Sequence, residues 1–454
     1  MTETQDYQVS ARLERFPSWP WPYAVLIIVG AAYFFSLFDV LTIGVAAPAI
    51  GKEFGIAGQV IAGEGTVVSL LGYVFGAFVF SHISDSLGRK KGLAISLISY
   101  SVGSLLTATS TAVVWIYVWR FLTGVGIGAD LAIAAAFLSE LAPSHVRGKF
   151  QSLSTFFGFV GAGVGPFVGF LVIPAFAWGW RLFFVIGALG GLFIIFFRRG
   201  LPESPRWLLS KGRAKEASDL LDIIEKDYTE KHKELPPPSP SRGMIVSGEK
   251  KVPLMELFSR KHGPRVILVL VVFFLYYVYT YPFLALTTSL LAASGYTIVL
   301  SLLVVGLGSL GYAIGSFSSF IFSEHLERKY LISVLFIIQG LSMFGLAIKL
   351  NVAEVILSDF AGALSNTFLA TMLYIYAAEN FPTRARSNGV AATDGLGHLA
   401  PVFSIPLALA VFESSKTSGF FNTYLMLGIM AIIGGIIVLF GIRATGRKLE
   451  DISE

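Results

Sequence analysis

The sequence predicts an all-α membrane protein of twelve transmembrane helices in two pseudo-symmetric six-helix bundles. Apolar segments of about 20 residues or more recur along the chain, each long enough to cross ~30 Å of hydrocarbon at ~1.5 Å per residue. Of the 454 residues, 54% are hydrophobic and only 14% charged, and the mean hydropathy is +0.71; soluble domains carry ~25% charge. Two charged motifs also repeat at one offset, 239 residues. Glu140-x-x-Pro143-x-x-x-Arg147 returns as Glu379-x-x-Pro382-x-x-x-Arg386, and Asp85-x-x-Gly88-Arg89-Lys90 aligns with Glu324-x-x-Glu327-Arg328-Lys329. The offset covers six spans, an even number, so the halves run parallel.

The first span, 21–50, is too long for the apolar core of a signal peptide, and the charged residues before it do not form one. Spans 65–84 and 91–110 flank the charged stretch from Asp85 to Lys91. Span 113–141 holds Arg120 and Asp130 among small residues, 150–175 is Gly-rich around Pro166, and 180–198 completes the first half. The second half comprises 265–292, 297–322, 330–349, 353–380, 387–413 and 420–443. Between them, 199–264 breaks the apolar rhythm with an amphipathic segment, Lys211 to Lys226, and the Pro-rich run Pro236–Pro240. The chain therefore divides into an N-terminal bundle (1–198), a cytoplasmic linker (199–264) and a C-terminal bundle (265–454). Forty-seven glycines suit close helix–helix approach.

Lys and Arg set the expected orientation. With the N-terminus inside, the cytoplasmic segments hold Arg12, Arg15, Arg89, Lys90, Lys91, Arg147, Lys149, the basic residues of 198–265, Arg328, Lys329, Arg384, Arg386, Arg443, Arg447 and Lys448. The outer loops hold only Lys52, Arg181, Lys349 and Lys416. Both termini are expected in the cytoplasm of a multi-pass plasma-membrane protein. The formal net charge of +5 is spread over these loops and does not read as a nucleic-acid surface. The absence of Cys excludes disulfides and thiolate metal sites. The six His residues show no metal-ligand spacing, there is no phosphate-binding loop, and no cofactor is expected. No nucleophile–base constellation suggests an enzyme.

Several motifs carry a family resemblance. Ser84-Asp85-Ser86-Leu87-Gly88-Arg89-Lys90-Lys91 resembles the loop signature between the second and third helices of the major facilitator superfamily. Arg120-x-x-x-Gly124-x-Gly126-x-Gly128 and Gly161-x-Gly163-x-Gly165-Pro166-x-x-Gly169 resemble its fourth- and fifth-helix motifs. Pro202-Glu203-Ser204-Pro205-Arg206-Trp207 is similar to the signature shared by sugar porters and organic-ion transporters. Phe38-Asp39-Val40-x-x-Ile43-Gly44-Val45-Ala46-x-Pro48-x-Ile50 resembles proton-coupled metabolite, aromatic-acid and phosphate symporters, as does Gly128-Ala129-Asp130. The seventh span lacks the paired Gln residues of typical sugar porters. The resemblance implies a monomeric transporter whose first, fourth, seventh, tenth and eleventh helices line or approach a central cavity.

Asp39 and Asp130 lie deep in apolar spans, where a carboxylate needs a proton or a partner. Both are candidate proton carriers at one shared site, the alternative for each being a structural brace between helices. Arg120 lies ten residues before Asp130, ~15 Å along a helix, too far for pairing. A coupling role follows from the resemblance; snorkelling to the interface beside Trp119 is the alternative. The repeat offset places Asp359 opposite Arg120, so an Arg120–Asp359 gate pair across the pseudo-two-fold is expected.

Asp394 and His398 share one helix face; the family resemblance implies an Arg near this position in many relatives, and a pair that braces helices is the alternative. Imidazole titrates near neutrality, which leaves room for a neutral or weakly charged solute. Tyr277, Tyr281, Asn366 and Tyr374 join them as candidate substrate ligands, with packing as the alternative. Pro282 is expected to weaken the seventh helix. Asp85, Gly88, Arg89, Glu140, Arg147, Glu379 and Arg386 are expected to form gating latches at the cytoplasmic face, against the alternative of solvated loop charge. The expected function is proton-coupled symport of a small polar metabolite (sugar, organic acid or phosphate) by alternating access, with small solute, protons and the bilayer as partners. A facilitator or antiporter is the alternative; a non-transporting nutrient sensor fits less well.

Overall fold

The computed structural model describes residues 9, 11–197, 200–232, 234–238, 263–322, 326–349, 351–381 and 386–443; the side chains at 81, 82, 193, 195, 197, 231, 232, 386–388 and 391 are outside the description. The first half comprises α1 (Tyr23–Val40), α2 (Thr42–Phe54), α3 (Gly58–Leu87), α4 (Arg89–Ala108), α5 (Val113–Leu141), α6 (Arg147–Val172) and α7 (Gly179–Phe197). Two amphipathic helices follow, α8 (Pro205–Ser210) and α9 (Ala214–His232). The second half comprises α10 (Gly263–Ala293), α11 (Ile298–Gly308), α12 (Leu310–Phe322), α13 (Arg328–Ile348), α14 (Val352–Asn380), α15 (Arg386–Gly397), α16 (Ala400–Glu413) and α17 (Gly419–Val438). With α1–α2, α11–α12 and α15–α16 each counted as one span, eleven helices are long and apolar enough to cross a membrane. Gly179–Leu192 of α7 adds a shorter apolar helix.

Local chemistry sets the boundaries. Gly55 (φ 68°) ends α2, and Gly88 (φ 105°) makes the sharp turn between α3 and α4. Ser204 caps α8 by accepting from the Trp207 amide (3.0 Å), with Pro205 at the first position, where no amide hydrogen is needed. Thr297 and Asn351 cap α11 and α14 in the same way. Pro282 does not interrupt α10, which is continuous across it. The breaks fall elsewhere: at Leu41, at Ser309, and before Leu399, where Pro401 opens α16.

Both halves use one packing scheme. In the first, α3 packs on α5, α4 on α5 and α7, and α1 on α6; in the second, α11 and α12 pack on α14, α13 on α14 and α17, and α10 on α15 and α16. A Cβ on Gly72 or Gly124 would strike the backbone carbonyl of the facing helix, Phe121 or Ser69. Glycine at these positions lets α3 and α5 meet backbone to backbone. The main packing across the halves joins α2 and α3 to α10, α3 to α16, and α6 to α11 and α12.

The N-terminal segment and α9 close one face of the first half. Arg12 bonds Glu225 (2.8 Å) and Asp222, the Phe16 ring meets Tyr228 edge-on (5.2 Å), and Trp19 packs on Phe150 (4.8 Å).

Candidate functional site

Arg120 of α5 is fully buried beside Asp39 of α1, which is fully buried too. Its Nη1 donates to Asp39 Oδ1 at 2.5 Å and its Nη2 to the Asp39 carbonyl at 3.2 Å. Ser104 of α4 donates to Asp39 Oδ2 (2.6 Å), and Ser69 of α3 accepts from Arg120 Nε (3.2 Å). The α1–α2 break lies two residues away, and Thr42 Oγ1 donates to the Asp39 carbonyl (2.7 Å). A carbonyl left over by the break thus becomes part of the site. The Phe184 ring lies 5.7 Å from the guanidinium. Two opposite charges are held in a dry site with their hydrogen-bonding capacity largely met, which such a pair requires.

This geometry corrects two expectations. Arg120 pairs with Asp39, not with Asp359: the nearer carboxylate lies in its own bundle. Asp39 and Asp130 do not share a hydrogen-bonding site either. Asp130 accepts from Ser36 (2.6 Å) and Ser96 (3.5 Å), one helical turn away along α1. Tyr100, fully buried, lies near both carboxylates, and its hydroxyl has no hydrogen-bond partner among the described residues.

The second half gathers a polar aromatic cluster. Asp394 Oδ1 accepts from Tyr277 (2.6 Å) and Tyr374 (2.7 Å), and the two hydroxyls lie 3.4 Å apart. His398 Nδ1 lies 3.5 Å from the same carboxylate and 3.0 Å from the Asp394 carbonyl. The imidazole packs on Tyr277 (centroids 4.0 Å apart), meets Tyr281 edge-on (6.0 Å) and stacks on Tyr73 of α3 (5.6 Å, 16°). Asn366 donates to Thr280 (2.8 Å) and its Oδ1 lies 3.2 Å from the Tyr276 hydroxyl. Tyr277, Tyr281, Tyr374, Asp394 and His398 thus form one group, and Asn366 joins it through Tyr276, which lies against Tyr277 (4.9 Å). Tyr73 escaped the sequence reading because nothing marks it among the apolar residues of its span. An apolar groove of about 330 Å³ on the flank of α3, lined by Leu70, Val74, Phe78, Val402 and neighbours, has His398 of this cluster in its wall.

At the end carrying α8 and α9, Arg89 bridges Glu140 (2.8 Å) and Asp85 (2.5 Å). Glu203 accepts from the Arg89 amide (2.9 Å), placing a carboxylate at the α4 N-terminus where the helix dipole favours it. The second half repeats the arrangement: Arg328 lies 3.0 Å from Glu379, each 239 residues beyond Arg89 and Glu140. Arg147 stands outside this network; its Nε is buried with no hydrogen-bond partner among the described residues. The Arg386 side chain and Glu324 lie outside the described residues. Glu203 and Trp207, which donates to the Asp85 carbonyl (2.9 Å), were legible only as parts of a motif.

The two halves touch from mid-depth to the end opposite α8 and α9. Ser309 donates to the Gly163 carbonyl (2.7 Å), and a Cβ on Gly44 would lie 2.6 Å from the Ala285 carbonyl. Toward the other end Tyr374 is 41% exposed and Leu396 45%.

The family model for sugar (and other) transporters matches residues 24–454. The chain belongs to this family. The transporter is 30% identical over 430 residues to the metabolite transport protein YyaJ of Bacillus subtilis, covering 94% of each chain. It is 26% identical to the niacin transporter NiaP of Acinetobacter baylyi (97% and 99% covered) and 26% identical to the benzoate transport protein of the same organism (92% and 89%). Its fold matches that of the xylose transporter XylE from Escherichia coli in a partially occluded inward-open conformation, with a TM-score of 0.73, 17% identity and 94% and 99% covered. The protein is a multi-pass membrane transporter of the major facilitator superfamily, not an enzyme, and it acts on a small molecule.

Proposed function

We propose that this transporter is a proton-coupled symporter of a small polar, ring-bearing metabolite, working by alternating access. The buried Asp39–Arg120 pair carries the reading. A proton on Asp39 cancels the pair and leaves the guanidinium uncompensated, and an unpaired buried charge costs several kcal/mol. Protonation therefore favours a conformation in which Arg120 finds water or another partner. This gives the proton a differential effect on two states, which coupling requires. The break at Leu41 gives α1 and α2 a joint beside the pair, and Asp130, held by two serines one turn away, is the second carboxylate on the same path.

Solute binds in this reading among Tyr277, Tyr281, Asn366, Tyr374, Asp394 and His398, with Tyr73 closing the cluster from the first half. Flat aromatic faces suit a ring, and phenol and carboxyl groups suit its polar substituents. Niacin and benzoate, named for two relatives, are both ring acids. Among the described residues the cluster contains Asp394 and no Lys or Arg, which disfavours a phosphate dianion and favours a solute without a high negative charge. The Arg89–Glu140 and Arg328–Glu379 pairs act as latches at the gated face. We place this face and both termini in the cytoplasm, the protein in the plasma membrane as a monomer, and the bundle boundaries at 1–198 and 265–454.

Uptake into proteoliposomes of nicotinate, benzoate, xylose and phosphate, with and without an inward proton gradient, tests the proposal. Gradient-dependent accumulation of a ring solute, abolished by a protonophore, is expected. Asp39→Asn should lose uphill uptake and retain counterflow. Uptake indifferent to the gradient would make the protein a facilitator and the Asp39–Arg120 pair a structural brace.

A further inference from the structure

Asp359 of α14 is the place where the repeat puts the counterpart of Arg120, and it is only 3% exposed. Unlike every carboxylate in the sites above, it has no hydrogen bond and no ion pair among the described residues. Its Oδ2 and Cβ pack against Gly308, the last residue of α11. The titratable groups facing it are Tyr312 of α12 and Tyr424 of α17, with Tyr276 of α10 beyond Tyr312. The Tyr424 hydroxyl is turned away, donating to Thr287 (2.8 Å). On α13 the buried Gln339 accepts from Ser365, and Lys349 at the helix end lies over the Phe420 ring (3.7 Å). Among the described residues no Lys, Arg or His acts on the carboxyl.

We infer that Asp359 is a second proton-binding site, in the C-terminal half, occupied in this conformation and exchanged with water when the α11–α12 joint parts from α6. The chemical argument is direct. A carboxylate this deeply buried among helices, with no partner among the described residues, pays a desolvation penalty that protonation removes. The two carboxylates related to Arg120 are thus neutralised differently: Asp39 by the ion pair, Asp359 by a proton. The location supplies the exchange. Ser309, next to Gly308, is where the eighth span breaks, and its hydroxyl holds the Gly163 carbonyl of the opposite half. Separation of that contact unseals the wall on which Asp359 rests. The carboxyl then loses its proton to water, and resealing requires a proton to be taken up again.

The role in transport rests on the proposed proton coupling; the protonation itself does not. Infrared spectra of the reconstituted full chain, titrated over pH, read the proton in wild type, Asp39→Asn, Asp359→Asn and Asp359→Glu. A protonated-carboxyl component present in wild type and Asp39→Asn, lost in Asp359→Asn and displaced in Asp359→Glu is expected. Superimposable wild-type and Asp359→Asn spectra overturn the site, and the Glu variant decides the matter if the Asn variant fails to fold. Steady-state accumulation is then measured against a series of imposed proton gradients. On logarithmic axes Asp359→Asn should lose one unit of slope relative to wild type; an unchanged slope overturns the exchange. A wild-type slope of zero would instead remove proton coupling as a whole, with the infrared titration still reporting whether Asp359 holds a proton.

Discussion

Arg120 and Asp39 show how a residue's role follows from the charges that surround it. Neither can be removed alone without leaving the other buried and unpaired. Arg120→Ala is expected to destabilise the protein by ~3–5 kcal/mol, and Asp39→Asn combined with Arg120→Gln by less than the sum of the single changes. Chemical denaturation in detergent, run as a double-mutant cycle, measures this; strict additivity would show that the two do not interact. Glu14 gives a pH prediction at the same scale. Burial alone would raise its carboxyl, but the Ser144 amide (2.8 Å) and hydroxyl (2.7 Å), Arg206 (2.7 Å) and nearby Arg147 hold it below the usual carboxylate range. A depressed folded value means that its stabilisation is present above the unfolded value, ~4.3, and is lost as pH falls toward the folded one. Docking of the N-terminal segment, followed by limited proteolysis, should weaken over that acidic window in wild type. Glu14→Gln should be weaker above that window, converge on wild type below it, and show a flatter pH profile.

At the scale of elements, the function depends on where helices break and where they touch. Sequence periodicity and length give the spans, because a run of about 20 apolar residues needs no tertiary partner to be recognised. The joints at Leu41, Ser309 and Leu399 are not legible in this way. Leu41 and Ser309 are ordinary residues, and the Pro that was visible in the seventh span, Pro282, sits in an unbroken helix because its neighbours tolerate the missing amide. Gly88 is a different case, since it lies in a motif that resembles an inter-helix loop signature, and its φ of 105° favours glycine. Gly88→Ala should cost ~1–3 kcal/mol from backbone strain, and would also crowd the Glu203 carboxylate that caps α4. A thermal shift no larger than that of an exposed mid-helix Gly→Ala control would show that the turn relaxes.

For the whole molecule, two similar bundles meet along one part of their depth and open along the other. The contacts at Gly44, Gly163 and Ser309 join the halves, and Leu396 and Tyr374 are exposed toward the other end. Because the chain contains no Cys, a single introduced thiol reports this geometry cleanly. Leu396→Cys should be labelled by a membrane-impermeant reagent from the cytoplasmic side and protected from the outside, read in oriented vesicles. Faster labelling from the outside would reverse either the proposed orientation or the direction of opening.

The chain alone sufficed for the twelve-span architecture, the two-fold repeat and the residue types of the site. Hydropathy is a local property, and the offset of 239 is visible without coordinates. It also carried enough to place Tyr277, Tyr374, Asp394 and His398 near one another, since each lies on a span that the family resemblance brings to the cavity. It could not say which charge meets which. Asp39 and Arg120 are 81 residues apart, and their pairing depends on the close approach of helices from different parts of one bundle. The repeat proposed Asp359 as the partner because symmetry relates positions, not interactions. Only packing decides whether a buried charge finds an opposite one, as Arg120 does, or must be neutral on its own, as Asp359 must.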